Sequence, residues 1–229
     1  MAKMFIGGES VDSVTKNTTE VRNPATGATV DTVPQGNDKD VQQAIQAAEE
    51  AFKVWSDVSP EDRGVALMNA GELIKKNSGE IAQLLTQEQG KTLFEAGLEI
   101  HHLVHGLEFY AGLAPKVRGS HVPLPQKGAY GMVVRQRIGV CGGIVPWNFP
   151  LTLMGTKLGP ALAAGNTIII KPASTTPLAT IRVIELIAQA TFGEGKAQKT
   201  LPKGTVNIVT GPGGSVGEEL LRNPRIRRI

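Results

Sequence analysis

The chain has 229 residues, 41% of them apolar, and its 24 Lys and Arg against 21 Asp and Glu leave a net charge of +3. Such a length and apolar share suffice to build a buried core. Charges of both signs are interspersed, which leaves no footprint for a polyanion and argues against a nucleic-acid partner. One cysteine, Cys141, rules out an internal disulfide and fits a reducing compartment. Polar and charged residues break the opening segment by Glu9, so no leader is read there. The longest charge-free stretch carries Gly, Pro and Asn through its middle, so no membrane span is read either. A cytoplasmic protein is expected.

In chain order, residues 1–35 alternate β-like runs with turn residues such as Asn23-Pro24-Ala25-Thr26-Gly27, and read as an outer arm of one or two edge strands. From Asp38 the apolar period turns helical, with Val41, Ala44, Ile45, Ala48, Phe52 and Trp55 on one face. Ser59-Pro60-Glu61-Asp62 supplies a cap, a proline at the first helical position and first-turn acids for a second helix reaching Asn77. Ser78 starts a third helix, which Gly90 ends. A fourth, over 92–113, is expected to bury Leu93, Ala96, Ile100, Leu103, Val104, Leu107 and Tyr110.

Between 115 and 137 the composition changes to Pro, Gly and β-formers, and the pattern predicts a hairpin with arms at 117–122 and 130–136. A lone hairpin is marginal in water, so this one is expected to pack on a partner copy and make a homo-oligomer. The remainder predicts a βαβαβ series: strands at 138–145, 167–171 and 205–209, helices at 150–164 and 176–192. That spacing suits parallel strands joined by right-handed crossovers.

Three segments at the predicted carboxyl ends of these strands carry chemistry, and in open α/β sheets ligands bind at that edge. Pro146-Trp147-Asn148-Phe149-Pro150 places an amide donor, Asn148, where it could stabilise a developing oxyanion or simply cap the next helix. Lys171, closing a run of isoleucines, can meet ribose hydroxyls or a phosphate. Ser174 stands three residues on and could equally cap a helix. The run Gly211-Pro212-Gly213-Gly214-Ser215-Val216-Gly217 follows a strand and opens a helix, a weak nucleotide-binding signal when taken alone. Cys141 lies inside an apolar strand without a base or cation nearby in sequence, and reads as an inert small hydrophobe. His101, His102 and His105 have helical spacing, but no Glu follows the second as a zinc-protease helix requires, and no metal is expected.

Taken together, the segment from Ile138 to Lys171 with its PWNFP run, the Lys171-Pro172-Ala173-Ser174 run and the glycine turn resemble the aldehyde dehydrogenase superfamily, with the semialdehyde dehydrogenases nearest in pattern. The resemblance runs from about Phe5 to the last residue. It implies an α/β fold: a Rossmann-like parallel sheet, incomplete here, with an amino-terminal helical segment and an oligomerisation hairpin. Three regions follow: 1–114, an arm and helices packing on the cofactor domain; 115–137, the hairpin; and 138–229, a partial NAD(P)-binding domain.

The resemblance further implies roles for residues. Asn148 would be the oxyanion donor, and Lys157 would lie near the active site. Ile144, Val145, Pro146, Trp147, Lys171, Ser174, Gly213 and Gly217 would bind the cofactor, with Gly213 at the adenine and Gly217 under helix packing. Ser174 stands where NAD-selective members carry Glu, so NADP is expected to be accepted at least as well as NAD. A whole enzyme of the family would form a thiohemiacetal between its cysteine and a small aldehyde, pass hydride to the nicotinamide and hydrolyse the thioester. Its nucleophilic Cys and activating Glu lie downstream of residue 229. The chain is therefore expected to be inactive alone, as a truncated dehydrogenase, one half of a split enzyme, or a non-catalytic nucleotide-binding or assembly module. The Glu88-Gln89-Gly90-Lys91 turn matches a family helix terminus rather than a site.

Overall fold

The computed structural model describes residues 1–193 and 195–229. Strands β1 (Met4–Ile6) and β2 (Glu9–Val11) form a hairpin, and β3 (Thr18–Arg22) and β4 (Thr29–Pro34) form a second. Four helices follow: α1 (Asp38–Trp55), α2 (Pro60–Lys76), α3 (Ser78–Gln89) and α4 (Leu93–Leu113). Local chemistry sets their starts, as the sequence leads one to expect. Asn37 and Asp40 close a capping box on α1, Ser59 accepts the Asp62 N–H at 3.0 Å on α2, and Thr92 with Glu95 closes a second capping box on α4. Gly90, in the left-handed region, ends α3.

Next come β5 (Ser120–Pro123) and β6 (Tyr130–Val133), paired antiparallel within the predicted hairpin. The cofactor-type unit runs β7 (Val140–Ile144), α5 (Pro150–Ala163), β8 (Thr167–Lys171) and α6 (Leu178–Ala188). It continues through short strands β9 (Thr191–Phe192) and β10 (Lys199–Thr200) to β11 (Val206–Ile208), α7 (Glu218–Arg222) and β12 (Ile226–Arg228). The predicted helix at 176–192 is shorter than expected, because its last residues pair as β9 with β10.

The central sheet has the order β12-β7-β8-β11-β1-β2. Its first four strands are parallel, and β1 joins β11 antiparallel. The opening segment is thus more than an outer arm: Met4 is fully buried, and the β1–β2 hairpin extends the central sheet. From β7 the chain steps through β8 to β11 in one direction and then returns to place β12 on the other side of β7. That reversal opens a crevice at the carboxyl ends of β7 and β12, the switch point where doubly wound sheets bind ligands.

Both faces of β7, β8 and β11 are covered, and β8 is a run of three isoleucines closed by Lys171. Ile168 and Ile170 point into the layer made by α2 to α6, whereas Ile169 points to Val41, Ala44 and Ile45 of α1 and Leu220 of α7. In α4, Ala96, Ile100, Leu103, Val104 and Leu107 are buried as the apolar period predicts. Leu93 departs from that expectation: it opens the helix and is 56% exposed. Tyr110 is partly buried and lies against α5, where a Cβ on Gly159 would sit 2.6 Å from its ring. A Cβ on Gly155, one turn earlier, would meet Leu103 at the same distance. Two small residues four apart therefore let α5 approach α4 closely, and that contact carries the PWNFP turn.

Candidate functional site

The parallel register fixes which loops share the carboxyl edge. Ile144 pairs with Lys171, the N–H of Val145 donates to the Lys171 carbonyl at 2.9 Å, and the N–H of Val209 donates to the Ile170 carbonyl at 2.9 Å. The turn after β7 (Pro146, Trp147, Asn148), the loop after β8 (Lys171 to Pro177) and the glycine turn after β11 therefore lie side by side.

Asn148 is exposed, and its backbone carbonyl accepts from Lys91 Nζ at 3.1 Å. It does not cap α5. The first free amides of that helix, on Leu151 and Thr152, donate to the buried Glu99 carboxylate at 2.7 and 3.2 Å. Trp147 is 60% exposed on the same turn, Pro146 is exposed, Ile144 half-buried and Val145 buried.

Ser174 does not cap a helix either. Its Oγ donates to the Gly211 carbonyl at 3.4 Å, while the Leu178 and Ala179 amides of α6 donate to Glu88 at 2.7 and 2.8 Å. With Thr19, Gln35, Pro172 and Pro212, Ser174 lines a cavity of about 160 Å³. The amino-terminal strands β3 and β4 thus supply one wall of this cavity beside the loops after β8 and β11, a contribution that sequence reasoning missed.

Lys171 is 5% exposed, and its Nζ donates to the Pro172 carbonyl at 2.8 Å. Among the described residues no carboxylate pairs with it, and burial pushes its ammonium below the ordinary lysine range. Its side chain runs beside Gly217, where a Cβ would sit 3.7 Å away. Gly217 is buried at the end of a wide helical turn over Gly213–Gly217, and Gly213 faces open space. Within this turn the backbone requires glycine at Gly211: φ is +143°, and a Cβ would lie 2.7 Å from the Gly36 carbonyl.

Lys157 lies on α5, nine residues after Asn148. Its Nζ donates to the Leu153 carbonyl at 3.2 Å, and its stem passes 3.5 Å from where a Cβ on Gly143 would sit. It lines a cavity of about 380 Å³ with Thr156, Cys141 and Arg228. Cys141 itself is 6% exposed in β7, and burial pushes its thiol up to about 11. His101 and His105 stack on the exposed face of α4 with ring centres 6.4 Å apart.

Two acids contribute in ways the sequence motifs did not reveal: Glu88, which stands in a turn read as a helix terminus, and Glu99, which stands in no motif. Both are almost fully buried. The available signal was their phase: Glu99 lies three residues after Ala96 and four before Leu103, so a charge occupies an apolar stripe. Burial holds the Glu88 carboxyl well above its ordinary 4.5, at about 8, although the Ala179 and Leu178 amides oppose the shift.

A doubly wound parallel sheet with an amide donor, a lysine and a glycine turn at one carboxyl edge is the arrangement in which open α/β sheets take up ligands. The chain belongs to the aldehyde dehydrogenase family, whose family model matches residues 11–229. It is 38% identical over 228 residues to betaine aldehyde dehydrogenase of Bacillus subtilis, covering 99% of this chain and 45% of that protein. It is 37% identical over 225 residues to glutarate-semialdehyde dehydrogenase of Pseudomonas putida, covering 98% and 45%. Among solved structures, an NADP-dependent enzyme of Escherichia coli superposes with a TM-score of 0.92 at 36% identity, covering 99% of this chain and 45% of that one. The chain thus spans about 45% of the length of the curated relatives it matches. Among the described residues no helix is long and apolar enough to cross a membrane.

Proposed function

We propose that this chain provides the cofactor-binding edge and the oxyanion donor of a cytoplasmic NAD(P)-dependent aldehyde dehydrogenase, which oxidises a small aldehyde to a carboxylic acid. The observation that carries the reading is the pair of buried acids. Glu99 and Glu88 take the helix-capping work that Asn148 and Ser174 would otherwise do, which leaves the Asn148 amide free at the crevice.

The residues fit a dinucleotide. Lys171 keeps a buried ammonium with one carbonyl partner, ready to donate to ribose hydroxyls, and Gly217 leaves room beside it. Gly213 would present backbone without a side chain to the adenine, while Ile144, Pro146 and Trp147, with the backbone of the buried Val145, would line the other end. No carboxylate stands at Ser174 to repel a 2′-phosphate, so NADP is accepted at least as well as NAD. When bound, the nicotinamide supplies the hydride acceptor. Asn148 then donates its side-chain N–H to the substrate oxygen as negative charge develops there. Cys141 is too buried and too weakly acidic to be the nucleophile, so that group comes from residues other than those of this chain. Lys157, nine residues after Asn148 on α5, lies near the active site in this reading, supported by its place with Arg228 in the cavity between β7 and β12.

An aldehyde carrying a carboxylate is the proposed substrate class, supported by the Lys-Pro-Ala-Ser run and by the glutarate-semialdehyde relative. The exposed apolar side chains of the hairpin, Tyr130, Met132 and Val134, suit pairing with a second copy. Calorimetric titration with NADP and NAD, followed by NAD(P)H formation from glutarate semialdehyde and betaine aldehyde, tests the reading. Binding of NADP without turnover by the isolated chain is expected. Absence of any dinucleotide binding would overturn it, and turnover by the pure chain would reinstate Cys141.

A further inference from the structure

The turn dismissed above as a helix terminus, Glu88 to Lys91, touches both functional loops. Glu88 accepts the first amides of α6, directly after the Lys171 to Pro177 loop. Lys91, three residues on, reaches the PWNFP turn. Its side chain is 8% exposed, and it pairs with the carboxylate of Glu99, which is fully buried. The same Nζ donates to the Asn148 carbonyl at 3.1 Å and lies 4.7 Å from the centre of the Phe149 ring. Glu99 continues the chain of contacts by accepting from Leu151 and Thr152.

We propose that the buried Lys91–Glu99 ion pair is the positioning device for Asn148. Pro146 and Pro150 fix their own φ and restrict the residues before them, but the torsions of Trp147 and Asn148 carry no such lock, and Asn148 itself is exposed, so nothing in its own side-chain packing fixes where its amide points. The pair supplies that constraint from outside. Lys91 holds the carbonyl of Asn148, Glu99 holds the amides of Leu151 and Thr152, and Phe149 between them is covered by the ammonium. The three contacts span the turn and anchor it to α4, which itself is locked to α5 through Gly155 and Gly159. A donor acting on a developing charge gains from being fixed before the reaction, and a buried pair does this without occupying the crevice. A buried ion pair is a poor source of net stability, so its retention here is read as positional.

The inference rests on the oxyanion reading for its purpose, but its geometry is tested on the full chain without cofactor or substrate. Amide-proton NMR correlation spectra contain three reporters: the Asn148 side-chain amide, identified by its loss in Asn148→Ala; the indole N–H of Trp147 on the same turn; and the indole N–H of the buried Trp55. In Lys91→Met the Asn148 and Trp147 signals should shift while Trp55 stays in place, and Lys91→Arg should return both toward their original positions. An unmoved Asn148 signal in Lys91→Met overturns the proposal. So does a shift of all three reporters that Lys91→Arg fails to reverse, because the pair would then be holding the fold and not the turn. Failure to bind NADP would sink the functional reading and leave these shifts untouched.

Discussion

The Glu88 carboxylate accepts the backbone amide of Leu178 at 2.7 Å from ninety residues away, joining the end of α3 to the start of α6, directly after the Lys171 to Pro177 loop. Burial raises the carboxyl to about 8 in the folded chain against an ordinary 4.5. Between those values the folded state holds a proton that the unfolded chain has released, so stability falls as pH rises through that interval, by up to ~1.4 kcal/mol per pH unit. Thermal melts should therefore move down from pH 6 to pH 8, roughly the upper part of that window. Glu88→Gln should flatten the dependence. A melting temperature that rises over this interval in the parent chain would contradict the assignment.

Asn148 should matter to chemistry and not to folding. In a competent protein that includes this chain, Asn148→Ala is expected to lower kcat by roughly 10²- to 10³-fold, the usual loss for one oxyanion donor. NADP affinity and melting temperature should hold. A parallel loss of cofactor binding would indicate that the amide serves the nucleotide instead.

Cofactor choice should turn on one side chain. Ser174→Glu places a carboxylate beside the crevice, and NADP affinity should drop by about tenfold or more while NAD is retained, as expected for a repelled phosphate. Lys171→Met should weaken both dinucleotides, by roughly 10- to 100-fold if a charge-assisted hydrogen bond is lost. Equilibrium titration of each variant with both cofactors separates the two effects.

The hairpin gives an assembly test. Tyr130 and Met132 on β6 are 69% and 75% exposed. Replacing both by Lys should shift sedimentation toward the monomer without changing the melting profile of the body. If the parent chain is already monomeric at high concentration, the hairpin does not pair copies of this chain.

Cys141 should behave as core. Alkylation at neutral pH is expected to be slow in the folded chain and fast after unfolding, and Cys141→Ala should leave NADP binding unchanged. Rapid labelling of the native chain would show the strand to be less closed than its 6% exposure implies.

What the sequence determined by itself was local. Helix starts at Asn37, Ser59 and Thr92 and the stop at Gly90 follow from side chains that bond amides a few residues away, and β8 follows from an unbroken apolar run. The three motifs at strand ends were legible because strand-turn-helix boundaries are written in adjacent residues. Tertiary structure decided the rest. It brought β1 into the central sheet beside β11, turned β3 and β4 into a wall of the Ser174 cavity, and set Lys157 beside Cys141 and Arg228 in the cavity between β7 and β12. It also chose Glu88 and Glu99, not Ser174 and Asn148, to satisfy the opening amides of α6 and α5. A helix terminus needs an acceptor, but any acceptor in reach will serve, and which one arrives depends on how helices pack across gaps of ninety and fifty-two residues. Periodicity carries no information about that choice, which leaves the burial of two acids in apolar stripes as its one trace in the sequence.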